Sequence, residues 1–354
     1  MPATGSGHNR DGPISKRPAV HHPSTAGHSA RLLLALVILV LAAGIGSLLV
    51  GPVPIGLPAV IDACMGRGDP IVRAILFDLR LPRALLGLLV GAMLGAGGAA
   101  LQGYLRNPLA EPAVLGVSGA ASLGAVVAIY WRLAVAHPVL LPLLAIASAL
   151  AALVPLFRLS ARSESSLSLI LAGVALAALA GAGISLALNL APNPFAAMEI
   201  TTWLLGSLED RSFSDVWVAL PCVAIGLLLL FWDGRALDAL SLGEDGARAL
   251  GTDLKRVRLR LLLALAIGVG GAVAVSGSIG FIGLIVPHLV RPFTDRSPSA
   301  VLLPSALGGA VLLLAADVAV RLIPTAAPLK LGVLTAFLGV PFFLHHLLRE
   351  RRLW

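Results

Sequence analysis

Charge is scarce in this chain. Lys, Arg, Asp and Glu make up 12% of its 354 residues, against about 25% in a soluble globular domain. Hydrophobic residues reach 58% and the mean hydropathy is +0.94. A soluble protein is excluded, and the chain reads as an integral membrane protein. Segments of about ten residues with alternating polarity are absent, which excludes a β-barrel. Only two cysteines occur, Cys64 in a loop region and Cys222 inside an apolar run. No disulfide and no zinc spacing is expected from them, so no metal site is assigned. No Gly-Lys dipeptide exists anywhere, so the chain carries no phosphate-binding loop of the GxxxxGK[ST] kind. No Ser/His/Asp or Cys/His set is readable. Enzyme chemistry and a cofactor are not expected. The net charge of +8 is read as membrane orientation rather than nucleic-acid binding.

What the chain has instead is long apolar runs rich in small residues, including 38 glycines. Small residues let helices approach closely where lipid supplies no drive between them. The expected fold is therefore all-α, a tightly packed polytopic bundle. Residues 1–30 form a polar tail, rich in Pro, Gly, Ser and His, with a disordered composition. His8, His21, His22 and His28 fall in it at irregular spacing and read as solvated. The membrane domain is 31–354. Charge-free intervals run 32–61, 84–105, 112–131, 133–157, 165–198, 216–232, 261–290, 297–316 and 331–348. A span needs about 20 apolar residues. The interval 261–290 is long enough for two elements and is broken at Ser276–Gly280, so about ten transmembrane helices are expected. Pro52, Pro54 and Pro58 end the first. The amphipathic stretch 199–214 is too short to cross and reads as re-entrant or interfacial.

With both termini cytoplasmic, eighteen of the 26 basic residues fall inside. The positive-inside rule supports that orientation. Asp317 then lies at the outer end of the ninth span, His137 near the start of the fourth and His288 near the inner end of the eighth. No carboxylate or broken helix is expected near the bilayer midplane, which counts against an ion-gradient carrier. The longest charged interval, Asp233 to Arg260, lies on the cytoplasmic side. Within it Leu242, Ala247, Leu250 and Leu254 fall at roughly helical spacing. Ser241 with Glu244 three residues on matches a capping box. On the outer side Arg80-Leu81-Pro82-Arg83 reads as one short rigid turn, with Arg321 at the same level. These arginines are either interfacial anchors or forks for the carboxylates of a partner. Arg106-Asn107-Pro108 and Pro287-His288, followed by Arg291 and Pro292, close two spans inside.

These pieces, in this order, resemble the permease subunits of type II ABC importers, which move ferric siderophores, haem and cobalamin. The motifs are RLPR (80–83), RNPLAEPAVLGVSGAASLGA (106–125), LILAG (169–173), WLLGSL (203–208), LGEDGARALG (242–251), GSIGFIGLIVPHLVR (277–291), AADVAVR (315–321) and LGVLTAFLGVPFFLHHLL (331–348). The resemblance implies the type II importer permease fold. It also implies a homodimer, or a pair with a paralogous permease, in the cytoplasmic membrane. A separate ABC ATPase would bind below and an extracytoplasmic solute-binding protein above. Leu242, Gly243, Glu244, Ala247 and Gly251 match the helix that couples to the ATPase. Arg80, Arg83 and Arg321 match the arginines that dock the binding protein. Ser165 and Ser166 match the cytoplasmic gate. Arg106, Asn107, Pro108, Pro287 and His288 belong to structural motifs. The sequence departs at Thr294-Asp295-Arg296, where an Asp-His-Arg turn is usual. It departs again at Pro328-Leu329-Lys330, which replaces Glu-Leu-Pro and sets a cation where a carboxylate is usual. An ion-gradient secondary transporter is the alternative.

Overall fold

A computed structural model of the protein describes residues 25–160, 166–325 and 327–350. No strand occurs among them. The first helices are α1 (Thr25–Leu49), α2 (Pro70–Leu105), α3 (Val117–Tyr130) and α4 (Leu140–Leu159). Next come α5 (Ser166–Asn189), α6 (Pro194–Leu204), α7 (Phe213–Trp232), α8 (Gly234–Leu240) and α9 (Glu244–Ala249). The last are α10 (Leu254–Ser276), α11 (Ile282–Val290), α12 (Pro298–Leu322) and α13 (Leu331–Glu350). Seven helices are long and apolar enough to cross a bilayer, and three shorter apolar ones are Val117–Tyr130, Ile282–Phe293 and Leu331–His345. These ten follow the ten expected spans. Of the expected tail, residues 1–24 lie outside the described residues, and α1 begins at Thr25.

Three boundaries differ from the sequence reading. The interval 165–198 holds one span and the start of a second helix. Asn193 caps α6 through its Oδ1, which accepts from Ala196 N at 2.9 Å, with Pro194 at the first helical position. The stretch expected to start at residue 199 therefore begins earlier, as α6. The RLPR segment is not a turn either, because α2 runs through it as one continuous helix. Residues Ile75–Arg80 widen into π-helical hydrogen bonding just before Pro82. A proline lacks an N–H and its ring crowds the carbonyl four residues back. A local π-bulge absorbs both problems without ending the helix.

The core is built on α2, which packs against α12, α7, α11 and α10. Glycines set the approach. Gly91 and Gly95 of α2 lie so close to Gly309 and Ser305 of α12 that a Cβ would strike their backbone. Gly98 meets the backbone of Gly283 in α11 in the same way. In lipid such contact replaces the hydrophobic drive that water would supply. By contrast α1 is peripheral, with Leu34, Ile38, Leu41 and Ile45 exposed on its outer faces.

Candidate functional site

Polar residues gather at the two ends of the bundle and at one point between. At the arginine end, α1 stops at Leu49 and leaves its last carbonyls without helical partners. Two cations from other helices supply them. Arg80, only 5% exposed, donates to the carbonyls of Leu48 at 2.7 Å, Leu49 at 2.9 Å and Val53. Arg321 donates to the carbonyls of Ser47 at 2.9 Å and Val50 at 2.7 Å. Cations at a helix C-terminus also complement its dipole. Asp317, 1% exposed, sits between two arginines. Arg83 grips it through Nε and a terminal nitrogen at 2.9 and 2.8 Å, and Arg321 reaches it at 2.8 Å. The three arginines named from sequence thus converge at one place. Their donors hold α1, α2 and α12 together. A cavity of about 370 Å³ opens beside them, lined by Arg80, Arg83, Arg211, Arg321, Glu209 and Asp210.

Lys330 lies near this end, with its Nζ 3.0 Å from Glu209 Oε2. The departure from the family pattern therefore has a counter-charge inside the chain. Loops are joined here by backbone bonds, Ser207 N to Ser276 O at 2.8 Å and Gly332 N to Gly206 O at 3.3 Å. Burial lowers the pKa of the Arg211 guanidinium, while Asp215 and Asp210 pull it back up.

At the opposite end stands the polar island. Ser241 does not cap α9. It closes α8, and its hydroxyl donates to Asp238 O at 2.6 Å. Gly243 is the N-cap of α9 at φ 94°, a backbone region that L side chains rarely adopt. The glycine turn ends one helix and starts the next, so no serine cap is needed. Ala247 is fully buried against its own chain. Leu242 and Leu250, flanking α9, are 69% and 65% exposed, and Gly251 is exposed at φ 81°. Asp245 and Arg248 lie 3.6 Å apart on the solvent side.

The island is braced to the bundle. Asp238 accepts from Ser299 N and Ser299 Oγ at 2.8 and 2.6 Å, tying α8 to the start of α12. Asp233 pairs with Arg260 of α10 at 2.5 Å. The Arg106-Asn107-Pro108 turn lies alongside. Arg106 adopts φ 51°, and one of its terminal nitrogens would lie 3.6 Å from a Cβ on Gly243. Asn107 Oδ1 accepts from Leu109 N at 2.9 Å, an Asx turn. Pro287 lies inside α11. The His288 ring packs edge-on against Phe342 at 5.6 Å. Ser165 lies outside the described residues, and Ser166 is the first residue of α5.

Sequence reasoning missed Glu111. It was counted as part of a cytoplasmic turn. In the structure its carboxylate accepts from Phe281 N, the residue that precedes α11. Helix α11 has nine residues and so rises about 14 Å, under half of a hydrocarbon core of about 30 Å. Helix α3 is also short at 14 residues. The two short helices and this carboxylate therefore meet beside α2, where Pro112 lies close to Gly97 and Gly283. The signal was available in Gly277 and Gly280 on one side and Pro112 and Gly116 on the other, where spans start late. Among the described residues no group of three or more His, Cys, Asp or Glu is placed to hold a metal. Cys64 and Cys222 are both free.

A glycine-packed bundle of ten apolar helices, with one braced helical island and one arginine-closed end, has the architecture of a multi-pass helical membrane protein. The comparisons with known proteins place it further. The FecCD transport family matches residues 35–349, and the chain belongs to that family. It is 38% identical over 293 residues to the uncharacterised ABC transporter permease protein YvrB of Bacillus subtilis, covering 81% of this chain and 82% of the relative. It is 38% identical over 326 residues to the Fe(3+)-citrate import system permease protein YfmE of the same organism, covering 91% and 96%. Identity to the cobalamin import permease BtuC of Halobacterium salinarum is 37% over 280 residues, covering 79% and 74%. Among solved structures, a metal-chelate type ABC transporter in an inward-facing conformation superposes with a TM-score of 0.81. It is 30% identical, and the match covers 89% of this chain and 97% of that one.

Proposed function

We propose that this chain is the membrane-spanning subunit of an ATP-driven importer for a metal chelate, a ferric siderophore foremost, with haem and cobalamin as the other candidates. The observation that carries this reading is the exposed pair Leu242 and Leu250 flanking α9, next to an α8 that Asp238 ties to α12. Two large apolar side chains on a water-exposed element suit a protein partner. A separate ABC ATPase would seat there, with Glu244 at the helix start beside the glycine turn. Ala247 then acts by holding the helix on its own bundle. The island end is cytoplasmic in this reading, as are both termini. The arginine end faces outward, and a solute-binding protein docks over its rim. Arg83 and Arg321 border the mouth, while Arg80 secures the end of α1 beneath it. Two copies, or this chain and a paralogous permease, enclose the path, and Ser165 and Ser166 stand at its inner gate.

Co-purification with the cognate ATPase tests the reading. Replacing Leu242 and Leu250 together by Asp should abolish ATPase retention and leave thermal stability unchanged. Full retention in that variant would remove the coupling assignment. The Glu111 carboxylate, held by Phe281 N next to two short helices, favours a second reading, a carrier driven by an ion gradient. Uptake into vesicles that lack the ATPase and hold only a gradient would establish that alternative.

A further inference from the structure

Three connecting segments meet near the arginine end. They are residues 205–212 between α6 and α7, the break at 277–281 between α10 and α11, and the segment through Pro328 and Leu329 to Lys330 before α13. Glycines let them touch. Gly206 and Gly277 sit at φ 73° and 69°. A Cβ on Gly206 would press on Ser278 O, one on Gly277 on Trp203 O, and one on Gly332 on Leu205 O. Two backbone bonds cross the seams, Ser207 N to Ser276 O at 2.8 Å and Gly332 N to Gly206 O at 3.3 Å. The second is long for its kind, so the seam between α13 and the 205–212 segment is the weaker one. Leu208, Ser276 and Leu331 are sealed at this junction, each 2% exposed or less.

A side-chain link spans the weaker seam, Lys330 Nζ to Glu209 Oε2 at 3.0 Å. Each end is tied to a segment that must move if the seam opens. The Lys330 carbonyl accepts from Val333 N and Leu334 N, so the ammonium travels with the first turn of α13. Glu209 N donates to Ser207 Oγ at 3.0 Å, so the carboxylate travels with the 205–209 turn. The side chains are 20% and 32% exposed. Such a pair is modest in strength, unlike the buried Asp317 cluster. Parting it strands no charge. Glu209 also lines a cavity of about 370 Å³ with Arg83, Arg211 and Arg321. Lys330 lines another of about 340 Å³ with Glu199 and Asp210. Each partner therefore has opposite charge at hand once the other has left, which keeps open and closed arrangements close in free energy.

Resting on the importer reading above, we infer that the Lys330–Glu209 pair is a strap across the arginine end. It holds the start of α13 on the 205–212 segment while this end is closed, and it parts when the end opens, with Glu209 passing to the arginines beside it.

The test is hydrogen–deuterium exchange of the full chain with its ATPase in lipid nanodiscs, read by mass spectrometry on peptides covering 205–209 and 330–334. Lys330→Gln and Glu209→Gln each remove one partner with little change of shape. Either should speed exchange in both peptides about three- to fivefold, the scale of one half-exposed ion pair. The double variant should add no more than about twofold, because the singles break the same link. Lys330→Arg, which keeps the charge, should exchange like wild type. Basal ATP hydrolysis without a binding protein should rise about two- to fivefold in the Gln variants, because opening costs less, with ATPase retention unchanged. Unchanged exchange in both single variants, independent and multiplying effects in the double variant, or faster exchange with unchanged hydrolysis would overturn the strap. A wild-type complex that neither retains the ATPase nor hydrolyses ATP would instead strike the importer reading itself.

Discussion

Replacing Asp317 by Asn tests how the arginine end is held. The substitution keeps size and shape and removes one charge. Asp317 is 1% exposed and accepts from Arg83 and Arg321 at 2.8–2.9 Å. A close pair near a protein surface is worth about 4 kcal/mol before desolvation is counted. Desolvation removes much of that, but both arginines stay where they are in the variant. Arg321 is 7% exposed at its side chain and Arg83 18%, so water can relieve Arg83 only in part. Removing one partner of such a buried set costs about 3–5 kcal/mol. In a chain of 354 residues that corresponds to a fall in melting temperature of about 4–7 °C. Thermal unfolding in detergent at matched scan rates reads the shift. A second substitution, Arg83→Gln, should recover part of the loss in the Asn background, because one unpaired cation is then gone. A variant melting within about 1 °C of wild type would refute the reasoning.

Further outcomes follow from the same geometry. Gly95→Ile should disrupt folding, since its side chain meets the backbone of Ser305; protease resistance in membranes would report it. Gly243→Ala should cost about 1 kcal/mol through its φ of 94°, whereas Ser241→Ala should cost under about 0.5 kcal/mol because α9 does not use that hydroxyl. Paired melting curves would distinguish these values. Glu111→Gln keeps an acceptor for Phe281 N and removes the charge; stability should fall by about 1 kcal/mol or less, and a larger loss would show that the ionised carboxylate has other essential partners.

The apolar spans were legible because burial in lipid imposes a length and forbids charge, and both are written directly in composition. The break at Ser276–Gly280 was legible for the same reason. The π-helical passage through Arg80 was not, since Pro82 normally signals a boundary and only the surrounding packing reveals that the helix continues. The arginines were recognisable as a group. Their grip on the end of α1 depends on three segments far apart in sequence, residues 47–53, 80–83 and 317–321. Glu111 was misplaced because a short polar turn reads the same whether it lies in water or dips between helices. At the island a helix does form, but of the four apolar positions only Ala247 lies within α9, and Leu242 and Leu250 flank it exposed; Gly243 displaced Ser241 as the cap because a positive φ cannot be read from a capping-box spacing.

The central claim is that ATP consumed by a partner on the Leu242–Leu250 face drives chelate through this chain. Uptake of radiolabelled ferric chelate into proteoliposomes holding the chain, its ATPase and its binding protein measures this directly. Uptake should require internal ATP and fall to background when Leu242 and Leu250 are both Asp. Uptake that continues without ATP, or survives that double substitution undiminished, would contradict the account.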